Sequence, residues 1–266
     1  MLGLVLGGGA AKGYAHIGAL KVLDEGGIKP DIIVGASMGA LIGGFSAAGY
    51  TAQELEEIAL KIDKKKKRWL FRFRLSKKGF IDGKNIVRHL SRHLQDKKIE
   101  ELPVKFAVVA TDIEDHSEII IDKGDLIQAI RAAISIPVVF MPHQYAGRVL
   151  IDGGFVNPLP INVAQRLGAQ KIIAVNVLRM VDYSEKEISS VHPTNKTYNV
   201  KKVFFETFDY ITSRLVDYQL KNLKDGILID INTEGIGLSH FEKAQVAITR
   251  GYVETSKYRE ELQQFK

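Results

Sequence analysis

The chain has 266 residues, 45% hydrophobic and 26% charged, proportions of an ordinary folded domain that exclude a disordered or fibrous protein. It has no cysteine, which excludes a disulfide scaffold and thiolate metal sites and fits a reducing, cytoplasmic setting. The net charge of +6 is local: nine of the 37 basic residues lie between Lys64 and Lys78 with no acid among them, and the rest of the chain is slightly acidic. That pattern argues against a dedicated nucleic-acid-binding domain.

No apolar run approaches the ~20 residues that a membrane helix needs. The first residues read as a strand rather than a signal peptide. Residues 2–6 are a short apolar run ending in Gly7, Gly8 and Gly9. Residues 14–25 have helical spacing, with Ile17, Leu20 and Leu23 facing inward. A second apolar strand at 31–34 breaks at Gly35, and a small-residue helix follows over 38–48. Thr51 caps a helix over 53–62, with Glu54 completing a capping box.

Beyond the basic stretch the pattern predicts a helix at 82–94, strands at 104–111 and 117–122, and a helix at 126–134 ended by Pro137. A strand at 148–151 runs into Asp152, Gly153 and Gly154, followed by a helix at 161–167 and a buried strand at 171–177. Strands alternating with helices predict an α/β fold: a mainly parallel sheet with helices on both faces, in three layers. Residues 181–199 read as a polar loop, 200–223 as a long amphipathic helix, 226–231 as a strand and 241–265 as a closing helix. The chain thus divides at 177 into an α/β domain, 1–177, and a C-terminal helical extension, 178–266, that carries one strand and packs on the same domain.

Gly35-Ala36-Ser37-Met38-Gly39 is G-x-S-x-G between a strand and a helix. A serine on such a turn is held in strained backbone geometry with its hydroxyl clear of the main chain, beside a helix N-terminus that favours negative charge. The alternative is a glycine-rich turn with a serine cap. The loop from Gly7 to Gly13 fails the Walker pattern, because Lys12 precedes Gly13 and Tyr14 follows. It also fails the dinucleotide fingerprint, which needs a third glycine in register and an acid after the second strand. Backbone N–H groups at a helix start can instead form an oxyanion hole.

None of the seven histidines has a local signature. A Ser-Asp-His chain order would favour His192 or His240. His89 and His93 are four apart on one helix, but without a further ligand pattern they read as a solvated face rather than a metal site. Asp152 ends a strand before two glycines, which places it at the same sheet edge as Ser37. The competing reading is a turn residue capping its own backbone.

Three motifs in order resemble the patatin-like phospholipases: Gly7-Gly-Gly-x-x-Lys12-Gly13, Gly35-x-Ser37-x-Gly39, and Asp152-Gly153-Gly154 lying 115 residues after Ser37. The segment Ala132-Ala133-Ile-Ser-Ile-Pro137 resembles the stretch that precedes the family's aspartate. The match covers roughly residues 2 to 165. It implies a Ser–Asp dyad with Ser37 as nucleophile and Asp152 as general base; apart from it, the sequence shows no clustered ligand pattern, so no metal or other cofactor is expected. The resemblance further implies an oxyanion hole from the amides of Gly8, Gly9 and Ala10, and hydrolysis of lipid esters through an acyl-serine. Ala10 departs from the family pattern, which has glycine there. If that position needs positive φ, alanine costs about 1 kcal/mol. A conventional Ser–His–Asp esterase and a non-catalytic membrane-binding protein on the same scaffold remain the alternatives. The stretch from Lys64 to Lys78 interleaves its charges with Trp69, Leu70, Phe71, Phe73 and Leu75. That composition suits a peripheral membrane contact on anionic lipid, or a solvated loop whose aromatics pack on the core.

Overall fold

β1 (Leu2–Leu6) is buried along its whole length, as a continuous apolar run between two helical layers must be. The computed structural model describes residues 1–62, 64–70, 81–178 and 199–266. A 3-10 turn over Ala10–Tyr14 leads from β1 into α1 (Ala15–Gly26), followed by β2 (Ile32–Ala36) and α2 (Met38–Ala47). α3 (Ala52–Leu60) starts at Thr51, whose side chain accepts from the Glu54 amide while Glu54 accepts from the Thr51 amide. α4 (Lys64–Leu70) and α5 (Lys84–Leu94) flank residues 71–80. β3 (Lys105–Asp112), β4 (Glu118–Ile121), α6 (Leu126–Ala133), β5 (His143–Tyr145) and β6 (Arg148–Asp152) follow. The chain continues through α7 (Ile161–Arg166), β7 (Lys171–Asn176), α8 (Val200–Leu220), β8 (Gly226–Asp230), α9 (Ala244–Ser256) and α10 (Arg259–Leu262).

The strands form one sheet in the order β5-β6-β3-β2-β1-β7-β8, with β4 also on β3. The pairs β1–β2, β1–β7, β2–β3 and β7–β8 are parallel, and β3–β4, β3–β6 and β5–β6 are antiparallel. Successive residues of β1 and β2 supply two cores. Leu4, Leu6 and Ile33 pack with α1, α2, α6 and α9, while Val5, Ile32 and Val34 pack with α7 and Val216 of α8. This is the expected α/β/α arrangement of a mainly parallel sheet between helical layers.

The register of β3 builds the site. β2 runs along β3 as far as Ala36 opposite Val109, and β6 runs the other way along β3 with Asp152 opposite Ala110. β4 occupies the other edge of Val108–Thr111, so β2 and β6 share one edge and end against each other. The residue after Ala36 and the last residue of β6 therefore meet, although 115 residues separate them.

Two expectations are corrected. The closing helix predicted over 241–265 is broken: a 3-10 turn precedes α9, and the chain turns at Lys257–Tyr258 before α10. That turn carries Leu262 and Phe265 back into the core, where they are 1% and 8% exposed. α9 also crosses α1 where glycine meets backbone. A Cβ on Gly18 would lie 2.0 Å from the Ile248 carbonyl oxygen, and one on Gly251 1.9 Å from that of Ala15. The second correction is β5, which the sequence did not announce. Among the described residues its three pair only with β6, too few to show an alternating pattern. The polar loop expected at 181–199 lies outside the described residues except for Asn199, whose side chain caps α8 by accepting from the Lys202 amide.

Candidate active site

Ser37 stands at the abrupt junction of β2 and α2, with φ 50° and ψ −121°. A non-glycine residue there is strained, and the surrounding structure must hold it. The flanking glycines show how. A Cβ on Gly35 would sit 2.5 Å from the Ala40 amide nitrogen, and one on Gly39 would sit 2.0 Å from the Leu6 carbonyl oxygen. α2 therefore lies against the end of β1 more closely than any side chain allows. The strained serine is the consequence of that packing, and it sits at the N-terminus of α2.

The Ser37 hydroxyl donates to Asp152 Oδ2 at 2.6 Å. Asp152 is fully buried, and its other carboxylate oxygen accepts from the Gly154 amide at 2.8 Å. Its backbone is pinned as well: its N–H donates to the Ser135 carbonyl at 3.1 Å, and its C=O accepts from the Thr111 hydroxyl at 2.9 Å. Ser135 is itself held by the buried Arg131, whose guanidinium donates to its hydroxyl at 2.5 Å and lies 5.2 Å from the Phe140 ring centroid. The segment from Ala132 to Pro137 thus fixes where Asp152 sits. Burial pushes the Asp152 carboxyl up to about 7, partly opposed by the hydrogen bonds from Ser37 and Gly154.

The glycine loop lies beside this pair. A Cβ on Gly8 would be 3.5 Å from that of Ser37. The Gly8 amide, however, donates to the Pro158 carbonyl at 2.8 Å and is already committed. Of the three expected oxyanion donors, Gly8 is therefore withdrawn. The amides of Gly9 and Ala10 have no hydrogen-bond partner among the described residues. Ala10 has φ 45°, so the alanine does occupy the left-handed region. Lys12 turns away from the serine. Its ammonium is buried and contacts both oxygens of Asp209 on α8, at 2.7 and 2.8 Å. Gly13 allows Met38 to approach, since a Cβ there would lie 2.4 Å from the Met38 Cγ. Gly153 packs on β3, with the position of a Cβ only 2.2 Å from the Val109 carbonyl oxygen.

An apolar cavity of about 110 Å³ opens at Ser37 and Ala10, walled by Leu41, Leu70, Ile86 and Leu90 among others. His89 is part of that wall, which corrects the expectation of a solvated face. It is 7% exposed, and its ring meets that of His93 edge to face at 5.1 Å. Burial, with Lys66 next in effect, pulls the His89 imidazole down to about 4. Among the described residues no cluster of three or more ligating side chains could hold a metal. No described histidine hydrogen-bonds to Ser37 or Asp152. His240 instead lines a separate polar cleft of about 610 Å³ with Lys12 and Asp209, and its Nδ1 accepts from the Gly237 amide. His192 lies outside the described residues.

The basic stretch is helical over its described part, α4, which sequence reading had not foreseen. Leu70 is buried in the cavity wall, and the Trp69 carbonyl accepts from the Asn85 side chain at 2.6 Å. Residues 71–78 lie outside the described residues. Among those described, no helix is long and apolar enough to cross a membrane.

A family model described as Patatin-like phospholipase matches residues 4–164. An uncharacterized NTE family protein of Mycobacterium tuberculosis is 37% identical over 177 residues, which is 65% of this chain and 48% of that protein. Lysophospholipase NTE1 of Candida albicans is 32% identical over 179 residues, 66% of this chain and 13% of that one. The chain thus spans about half the length of the mycobacterial relatives it matches. The crystal structure of VipD from Legionella pneumophila shares the fold, with a TM-score of 0.50 at 16% identity, over 98% of this chain and 66% of that one.

Proposed function

The chain belongs to the patatin-like phospholipase family, and from that premise we propose that it is a serine hydrolase of lipid carboxylic esters, using Ser37 and Asp152 as a catalytic dyad. The observation that carries this reading is the 2.6 Å hydrogen bond from the Ser37 hydroxyl to a fully buried carboxylate, at the mouth of an apolar cavity. The cavity suits an acyl chain, because its walls are almost wholly apolar. A relative named a lysophospholipase points to the same substrate class.

In this reading Asp152 takes the proton of Ser37 as Oγ attacks the ester carbonyl carbon. The carbonyl oxygen becomes an oxyanion, which the Gly9 and Ala10 amides bind together with the N-terminus of α2. The C–O bond to the alcohol breaks, and the alcohol leaves with the proton from Asp152. Water then attacks the acyl-Ser37 ester, giving its proton to Asp152, and the fatty acid departs as Ser37 Oγ is reprotonated. A free aspartate is too weak a base for an alcohol. Burial strengthens Asp152 at no extra reorganisation, since its partners are already in place.

The basic stretch from Lys64 to Lys78 belongs to the same reading as a peripheral membrane contact, since its described end, Leu70, reaches the cavity itself. The deciding experiment is an ester panel of increasing acyl length on wild type, Ser37→Ala and Asp152→Asn, with folding checked by circular dichroism. Both variants should lose hydrolysis while remaining folded. Wild-type turnover in either folded variant contradicts the dyad.

A further inference from the structure

α8 has two faces of opposite character. Its inner face supports the site. Phe208 packs against Phe155 of the turn after Asp152 at 4.7 Å between ring centroids, and Asp209 holds Lys12 of the glycine loop. Thr212 and Val216 continue this buried side.

The outer face is apolar yet uncovered. Five of the eleven exposed large apolar side chains among the described residues are on this one helix: Val200, Val203, Tyr210, Ile211 and Tyr218, at 82, 48, 55, 44 and 63% exposure. At 100° per residue they fall within one ~100° stripe, running about 27 Å along the helix. Within the stripe lie three further exposed residues, Thr207 and two basic ones: Arg214, whose guanidinium is 5.4 Å from the Tyr210 ring centroid, and Lys221, 5.5 Å from that of Tyr218. Glu206 and Asp217 border the stripe on one side and do not enter it.

We propose that this outer face of α8 is a docking surface for a lipid bilayer, so that the helix lies in the headgroup region while its inner face carries the Asp152 turn and the glycine loop. Aliphatic side chains, two tyrosines and cations beside their rings are the composition of an interfacial helix. Tyrosine suits that depth, with an apolar ring and a hydroxyl that stays wet. Arg214 and Lys221 complement the anionic headgroups of such a surface, and a second copy of the chain on the same face is an outcome the test separates. The inference rests on the lipid-ester reading for its purpose, but not for its test.

The test uses the full chain carrying Ser37→Ala, so that binding is read without turnover. This protein and the same protein with Ile211→Ser and Tyr218→Ser are co-sedimented with vesicles of phosphatidylcholine and phosphatidylglycerol. Both added changes are at exposed positions, so the fold should be retained. Binding should fall about tenfold or more with the apolar contacts removed, and salt should weaken the parent only in part. With Ser37 left intact, the same two α8 changes should leave hydrolysis of a short water-soluble ester unaffected. Unchanged vesicle binding overturns the proposal. So does a parent dimer that the α8 changes dissolve with no loss of vesicle binding, which assigns the face to a second copy. Equal losses on vesicles and on soluble ester also overturn it, since the helix would then only be supporting the site. Should Ser37→Ala itself hydrolyse esters normally, the dyad fails while the docking result stands.

Discussion

Lys12 and Asp209 are 197 residues apart in the chain and joined by contacts of 2.7 and 2.8 Å, which lock the loop after β1 to α8. Lys12 is almost wholly buried and Asp209 about a quarter exposed. Breaking a fully buried ion pair costs 3–5 kcal/mol, and Asp209's access to water reduces that here to about 2 kcal/mol. Asp209→Asn should therefore lower the melting temperature by about 5 °C. It should also slow ester hydrolysis, because the free amides of Gly9 and Ala10 lie in the loop that Lys12 anchors. A thermal melt beside the soluble-ester rate checks both. A lower melting temperature with full activity would show that the tether serves stability alone.

Asp152 makes the reaction pH-dependent in a stated direction. It works as a base only when ionised, and burial has pushed it up to about 7. kcat/KM should fall as pH drops through that value, by one proton. Stability runs the opposite way. A carboxyl raised from 3.8 in the unfolded chain binds its proton more tightly when folded, so its contribution is complete below about 3.8 and lost as pH rises through about 7. Asp152→Asn removes that loss. The melting temperature of the variant relative to wild type should climb between about pH 4 and pH 8, at most by the equivalent of about 4 kcal/mol. A flat difference would mean that the carboxylate is solvated.

Ala10 tests whether the loop acts through its backbone. At φ 45° an alanine is strained by about 1 kcal/mol, which glycine would relieve while adding a similar entropy cost to the unfolded chain. Ala10→Gly should be close to neutral in stability and should keep its activity, because the amide remains. Ala10→Pro removes the N–H and demands a φ near −65°, so it should abolish hydrolysis. Equal activity in both variants would remove this amide from the mechanism.

The cavity predicts acyl-length selectivity. Ile86 lies in its wall and is only partly buried, so a larger side chain there does not overpack a closed core. Ile86→Trp should depress kcat/KM for long acyl esters and spare acetate and butyrate esters. A uniform loss across the panel would place the acyl chain elsewhere.

The parts of this molecule legible in the sequence were those with a local cause. Apolar runs ending in glycine marked β1 and β2, and Thr51 with Glu54 marked the start of α3. Ser37 was legible because its neighbours must be glycine for α2 to approach β1. Its hydrogen bond with Asp152 follows from two strands ending on one edge of β3, which the order of motifs suggested and spacing alone did not dictate. What stayed hidden depends on distant partners. That Gly8 is spent on Pro158 is a contact across 150 positions. His89 and His93 read as surface because helical spacing does not reveal what another helix presses against them. The role of Asp209 had no signal, since one acid on a long helix looks like any other.

The most direct measurement is intact-protein mass spectrometry after treatment with a fluorophosphonate, followed by peptide mapping. One adduct should form, on the peptide carrying Ser37, and it should be absent in Ser37→Ala and much slower in Asp152→Asn. No adduct on folded wild-type protein, or an adduct at another serine, would contradict the assignment of Ser37 as the nucleophile.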